Sequence, residues 1–160
     1  IEAYNYGEKI SDVYYHPLDA NLILVTASSL SKSKINSENT YDLFISKNAG
    51  YTWEYILGKV KEVSWGCRNK KQLEKGISKY RIIASIISES DNISNNTKMD
   101  LVYSDDLFVN KNIPLSNIKH IFVNDYSIYV SRVMTNNDKQ EKRIDVIQSY
   151  KDSLLLYYST

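Results

Sequence analysis

Few residues of this 160-residue chain have the types and spacing that chemistry would need. Asp105 and Asp106 are adjacent carboxylates in "YSDDLF", and four arginines, Arg68, Arg81, Arg132 and Arg143, are scattered along the chain. Hydrolysis of a glycosidic bond needs two carboxyl groups facing each other across that bond. Neighbouring turn residues point apart, so Asp105 and Asp106 read as turn formers. One cysteine, Cys67, and two distant histidines, His16 and His120, make no metal-ligand set. Histidine is the side chain that titrates near neutral pH. His16 ends a strand ahead of Pro17 and reads as structural. His120 alternates with Ile118 and Phe122 in "IKHIFV" and reads as a half-buried strand residue rather than a sensor. The basic run "RNKKQLEK" (68–75) has no aromatic residue on which bases would stack, so it reads as a solvated loop and not a nucleic-acid site. No catalytic residue, metal or cofactor is implied.

A different pattern carries more information. In "FISKNAGYTWEYIL" (44–57), Ser46, Asn48, Gly50, Thr52 and Trp53 stand at fixed offsets between two strand-like runs. An Asn side chain at such a place accepts hydrogen bonds from backbone N–H groups of its own turn. Glycine takes a backbone conformation that costs other residues free energy. Trp53 is expected to turn inward as an apolar anchor, with burial contributing roughly 2–3 kcal/mol. The pattern recurs as "SDDLFVNK" (104–111), with Ser104 and Asp106 in the places of Ser46 and Asn48 and Phe108 in that of Gly50. A weaker third copy is "SYKDSLLL" (149–156), with Ser149, Ser153 and Leu156 in the Ser, Gly and Trp places. Every member stabilises a hairpin end; none does chemistry.

Strand signals surround these turns from end to end. Apolar residues recur with period two or in short β-branched and aromatic runs, as in "NLILVTASS" (21–29) and "YRIIASII" (80–87), separated by Asn, Asp, Ser and Lys. The one helix candidate, "NKKQLEKGISKY" (69–80), is charged, short and interrupted by Gly76. Fourteen Tyr against 3 Phe and 2 Trp suit strands with one wet edge. The chain therefore reads as all-β. Its strands fall into three sets of four, at 10–57, 59–115 and 118–158, and four-stranded antiparallel units repeated at this length are the blades of a β-propeller.

The charges nearly cancel, 20 Lys and Arg against 19 Asp and Glu, so no field of one sign steers the chain to nucleic acid or an acidic membrane. No apolar run approaches a membrane span. The chain opens on "IEAYNYGEKI", without an initiator Met or an apolar leader, and is expected to be a piece of something longer.

The full form of the turn, Ser-x-Asp-x-Gly-x-Thr-Trp, resembles the Asp-box, found in sialidases, in several secreted propellers and in the sortilin family of sorting receptors. The rest of the chain resembles the last of these. "VYYHP" (13–17) followed by "LILVTA" (22–27) is similar to the strand ending in His-Pro that opens a blade of that family. "TWEYILGKVKEVSWGC" (52–67) resembles the fungal vacuolar sorting receptors, in which a Leu-Gly-x-Val-Lys segment leads to a Trp near a Cys. "LVYSDDLFVNKNIPLSNIKHIFVNDYSIYVSRV" (101–133) resembles the family's Ser-Asp-Asp-Phe-Phe turn and the strand pair after it, with Leu107 for the first Phe and Ser131 where Ala is usual.

The resemblance implies a larger, ten-bladed luminal propeller, of which this chain supplies about three blades. It also implies Cys-rich modules, one membrane span and a cytosolic tail elsewhere in the parent protein. The partner it implies is soluble hydrolase or peptide cargo in the lumen of the Golgi and endosome, released on acidification, with membrane contact only through other parts of the parent. Two alternatives stand beside it. A sialidase-like glycoside hydrolase would need clustered Arg and an Arg-Ile-Pro signature; "YRII" (80–83) keeps Arg and Ile and lacks the Pro. A secreted interaction propeller would need neither. Asn92 and Asn95 lie in Asn-x-Ser/Thr sequons and are candidate glycosylation sites. Cys67 reads either as a free buried thiol or as a candidate for a disulfide to a cysteine outside this segment.

Overall fold

The computed structural model of the chain describes residues 9–28, 40–88, 98–123, 128–136, 139–150 and 153–158, with side chains as far as Arg132. The chain is all-β, an open antiparallel β-propeller segment. Strands that follow one another in sequence pair with one another. Two compact units form, Ile1–Val60 and Lys61–Thr160.

The first unit holds β1 (Ile10–Tyr15), β2 (Ile23–Ser28), β3 (Tyr41–Ser46) and the start of β4 (Glu54–Trp65). β2 is a solid apolar run because both of its faces are covered: Ile23, Leu24, Val25 and Ala27 are all buried. Leu24 pairs with Ile45 and Thr26 with Leu43, so one face sets Leu24, Leu43 and Ile45 together, each fully buried. Burial at that level contributes about 2–3 kcal/mol per side chain. β1, which among the described residues pairs with β2 alone, leaves Ile10, Val13 and Tyr15 exposed.

The second unit takes in the remainder of β4, a short α1 (Lys70–Glu74), β5 (Ile82–Ile87), β6 (Met99–Ser104), β7 (Asn112–Val123), β8 (Ile128–Asn136), β9 (Lys139–Tyr150) and β10 (Ser153–Tyr158). Its core joins Ile83 of β5, Leu101 of β6, Leu115 and Ile118 of β7, and Ile128 and Val130 of β8. The basic run expected as a loop contains the helical turn α1. The side chain of Asn69 caps it by accepting the Gln72 N–H at 3.0 Å, and Gly76, at φ 85°, ends it. Lys70, Lys71 and Lys75 stay exposed, and Ile77 behind them anchors the turn in the core.

The grouping into fours meets one structural surprise. "TWEYIL" and "KVKEVSW", read as separate strands, run together in the 12-residue β4, and "KNIPL" and "IKHIFV" run together in the 12-residue β7. The break survives as a single residue in the left-handed region, Lys59 at φ 57° in β4 and Asn117 at φ 58° in β7. These positions are equivalent, since 117 − 59 = 58. The ladders repeat with the same offset: Tyr41 pairs with Val60 and Leu43 with Leu57, while Met99 pairs with Ile118 and Leu101 with Leu115. Both ladders carry a bulge between those two pairs.

Candidate functional site

The two turns built on Ser46 and Ser104 share one hydrogen-bond network. In the first, the Ser46 hydroxyl donates to Asn48 Oδ1 at 3.0 Å and accepts from the N–H groups of Asn48 at 3.3 Å and Gly50 at 2.8 Å. Asn48 Oδ1 also accepts the Thr52 N–H at 2.9 Å, and Asn48 Nδ2 donates to Thr52 Oγ1 at 2.9 Å. In the second, the Ser104 hydroxyl donates to Asp106 Oδ1 at 2.7 Å and accepts from Asp106 N–H at 3.2 Å and Phe108 N–H at 2.9 Å. Asp106 then accepts the backbone and side-chain N–H groups of Asn110 at 2.9 and 2.6 Å. Ser46 and Ser104 are completely buried. A buried hydroxyl that both donates and accepts is the hub of each turn, and the Asx side chain closes it.

The left-handed residues repeat as well. Ala49 and Gly50 lie at φ 56° and 92°, and Leu107 and Phe108 at φ 59° and 64°. The second turn therefore holds two bulky side chains in a conformation that favours glycine, with the Ser104 and Asp106 bonds over-determining it. The hydrogen bonds from Asn110 and Ser104 hold the Asp106 carboxyl below its ordinary pKa. Both of its oxygens are engaged by hydrogen bonds within the turn.

Trp53 departs from expectation. The residue is 40% exposed, and its ring lies over the turn, with Cζ2 3.7 Å from where a Cβ on Gly50 would stand. Leu22, Leu24, Leu43 and Ile45 already fill the interior at this end, so the indole covers Gly50 from outside. The third copy also departs. β9 ends at Tyr150 and β10 begins at Ser153, so only residues 151–152 join them. Ser149 falls within β9, and Ser153 and Leu156 fall within β10; the longer turn is not repeated.

Asp105 turns away from Asp106 and grips Arg81, with Arg81 Nε and Nη2 each 2.6 Å from a carboxylate oxygen. Arg81 is 2% exposed, and its guanidinium lies 5.3 Å from the Tyr103 ring centre. Burial works against its charge, and the Asp105 hydrogen bonds and charge outweigh that cost, raising the Arg81 pKa. The aliphatic stem of Arg81 lies against Gly66, where an added Cβ would collide with Arg81 Cγ. The Ser78 hydroxyl donates to the Asp105 carbonyl at 3.1 Å. Sequence reading missed this clamp. Its one signal was a charge inside the apolar run "YRIIASII", which demands a partner from elsewhere in the fold.

Cys67 is wholly buried, and burial pushes its thiol pKa up, with Arg81 opposing that shift and Asp105 adding to it. A thiol in that state is a poor nucleophile. His16 is buried, and its Nδ1 accepts the Leu18 N–H at 3.0 Å. His120 is exposed rather than half-buried. A register shift between Ile118 and His120 changes which residues face inward, so Ile118, Ile121 and Val123 join the core while Phe122 lies exposed. Glu62 Oε2 accepts the Ile121 N–H at 2.8 Å, and Oε1 lies 3.4 Å from His120 Nδ1. Asn92 and Asn95 lie outside the described residues.

The chain is an open antiparallel β-propeller segment, a β-repeat protein in which the polar side chains of the two described turns close those turns. The family model described as sortilin, neurotensin receptor 3 (Sortilin-Vps10) matches residues 2–153. This chain belongs to the sortilin–Vps10 family, a family of sorting receptors rather than enzymes. No curated protein matches the chain.

Proposed function

We propose that this chain is a cargo-binding segment of the luminal domain of a sortilin-like sorting receptor, which carries soluble hydrolases or peptides from the Golgi to the vacuole or endosome. The observation that carries this reading is the family match over residues 2–153. In it the chain forms three blades, at 10–57, 59–115 and 118–158, of a larger ring of ten. Ser46, Asn48, Gly50, Thr52 and Trp53, with Ser104 and Asp106, act as Asp-box residues that hold hairpin ends. Their hydrogen bonding supports a structural role, as does the engagement of Asp105 by Arg81. Those commitments disfavour the sialidase-like alternative. A receptor role also separates this reading from a secreted interaction propeller, because the parent protein then has one membrane span and a cytosolic tail.

The test is capture of vacuolar or lysosomal hydrolases by the complete ectodomain at neutral and at acid pH. Retention at neutral pH with release on acidification is expected; no capture at either pH refutes the reading. Release persists when His120 and His16 are both replaced, since one is an exposed strand residue and the other a buried turn acceptor. Asn92 and Asn95 carry glycan, checked by a mass decrease on glycosidase treatment. Cys67 is a candidate to pair with a cysteine outside this segment: resistance to alkylation in the unreduced, denatured parent protein shows pairing, and ready alkylation shows a free buried thiol.

A further inference from the structure

Thr26, Ser85 and Ser131 occupy one place in three successive strand sets. Each is the fourth residue of its strand: Ile23-Leu24-Val25-Thr26 in β2, Ile82-Ile83-Ala84-Ser85 in β5, and Ile128-Tyr129-Val130-Ser131 in β8. The ladders confirm the equivalence of the first two, because Ile23 pairs with Ser46 and Ile82 with Ser104, the hubs of the two turns. All three hydroxyl oxygens are buried, and none has a hydrogen-bond partner among the described residues. A hydroxyl both donates and accepts, and a buried one left without a partner loses the hydrogen bonds it made to water when unfolded. One such group is an accident of packing. The same group in the same register of three repeats is a built feature.

What faces these hydroxyls across the ladder is polar. Asp12 of β1 stands directly opposite Thr26, and His120 of β7 directly opposite Ser131. Directly opposed residues of an antiparallel pair share a face, with Cβ atoms about 4.5–5.5 Å apart. Glu62 holds the place equivalent to His120 in the preceding repeat, since 120 − 62 = 58. Asp12 and His120 are exposed, so the Thr26 and Ser131 hydroxyls each lie between the interior and a polar side chain that reaches solvent; Glu62 is partly exposed, and its carboxylate accepts the Ile121 N–H. The apolar side of Ser85 is given by Leu101, its partner on β6 and a member of the buried cluster.

We propose that each repeat binds one internal water molecule at this hydroxyl, bridged in two of them to the titratable side chain that the ladder sets opposite: Asp12 with Thr26 and His120 with Ser131. Water is the ligand whose size suits a single hydroxyl in a packed strand and which supplies both a donor and an acceptor. The Ile118–Ile128–Val130 side of the core packs against the Ile83–Leu101 side, the face that carries Ser85. The Ser85 water therefore sits where one repeat meets the next and hydrates that junction.

The test combines water-17O relaxation dispersion, which counts long-lived internal waters, with thermal unfolding of the full chain and of its Thr26→Val, Ser85→Ala and Ser131→Ala variants. Each substitution is expected to remove one long-lived water and to leave Tm unchanged or lower. A rise in Tm with no change in the water count overturns the proposal, because it means the hydroxyl was bare and its removal relieved a cost. A high-resolution crystal structure of the unmutated protein decides independently of any variant: water within hydrogen-bond distance of these oxygens supports the proposal, and dry hydroxyls refute it.

Discussion

The clamp between Arg81 and Asp105 makes a prediction with an unusual asymmetry. Arg81 occupies the place that Leu22 fills in the preceding repeat, for each precedes the residue paired with the turn serine, and each is 2% exposed. The arginine side chain is 3% exposed and the Asp105 side chain 42%. Removing the carboxylate by Asp105→Ala strands a buried guanidinium. Breaking a buried pair in that way costs about 3–5 kcal/mol. Water reaches the site from the half-exposed Asp105 side and recovers part of the loss, which brings the expected cost to about 2–3 kcal/mol. Arg81→Leu instead removes the buried charge and frees Asp105 to meet solvent. It forfeits the Tyr103 contact, about 0.5–1 kcal/mol, and the net bonds, and it regains apolar packing against Gly66; the expected cost is about 1 kcal/mol. The double variant behaves as Arg81→Leu alone. Equilibrium urea denaturation of the full chain measures all three. If Arg81→Leu is as costly as Asp105→Ala, or costlier, the argument from unequal burial is wrong.

Three further outcomes are expected. Ser46→Ala and Ser104→Ala each remove the hub of a turn and leave backbone N–H groups without their acceptor, costing roughly 2–3 kcal/mol in denaturant titrations. Lys59→Gly relieves a left-handed residue within β4 and gains about 0.5–1 kcal/mol, whereas Asn117→Gly gains less because Asn tolerates that conformation; paired melting curves separate the two. Acid acts on the two turns differently. The folded Asp106 carboxyl has a pKa below its unfolded value, so the stability it confers is present above that unfolded value and fades as pH falls through the folded one. Asn48 has no such proton to take up. The amide resonances of Phe108 and Asn110 therefore shift on acidification while those of Gly50 and Thr52 hold still, and Asp106→Asn abolishes the difference.

Local information carried much of this structure. Strand periods and turn residues place β2, β3, β5 and β6 within a residue or two, because short apolar runs bounded by Asn and Ser allow few other conformations. The turns at Ser46 and Ser104 were legible because each is closed by side chains bonding to their own backbone, a matter of a few successive residues. The family, too, was legible, since several stretches spread along the chain resemble one pattern.

Other features were settled only by tertiary packing. Whether a strand ends between Leu57 and Val60 depends on the neighbour it follows, and β4 and β7 pass through Lys59 and Asn117 without glycine to mark the place. The exposure of His120 follows from a one-residue register shift that no alternation of types announces. Trp53 lies outside because Leu22, Leu24, Leu43 and Ile45 had already filled the interior. The partner of Arg81 stands 24 residues away along the chain. By itself the sequence determined which segments extend, which turns close and which family the chain resembles, since those rest on neighbours along the backbone. Which face is dry, which charge is paired and which hydroxyl finds no protein partner were decided by the fold, because each depends on segments that only folding brings together.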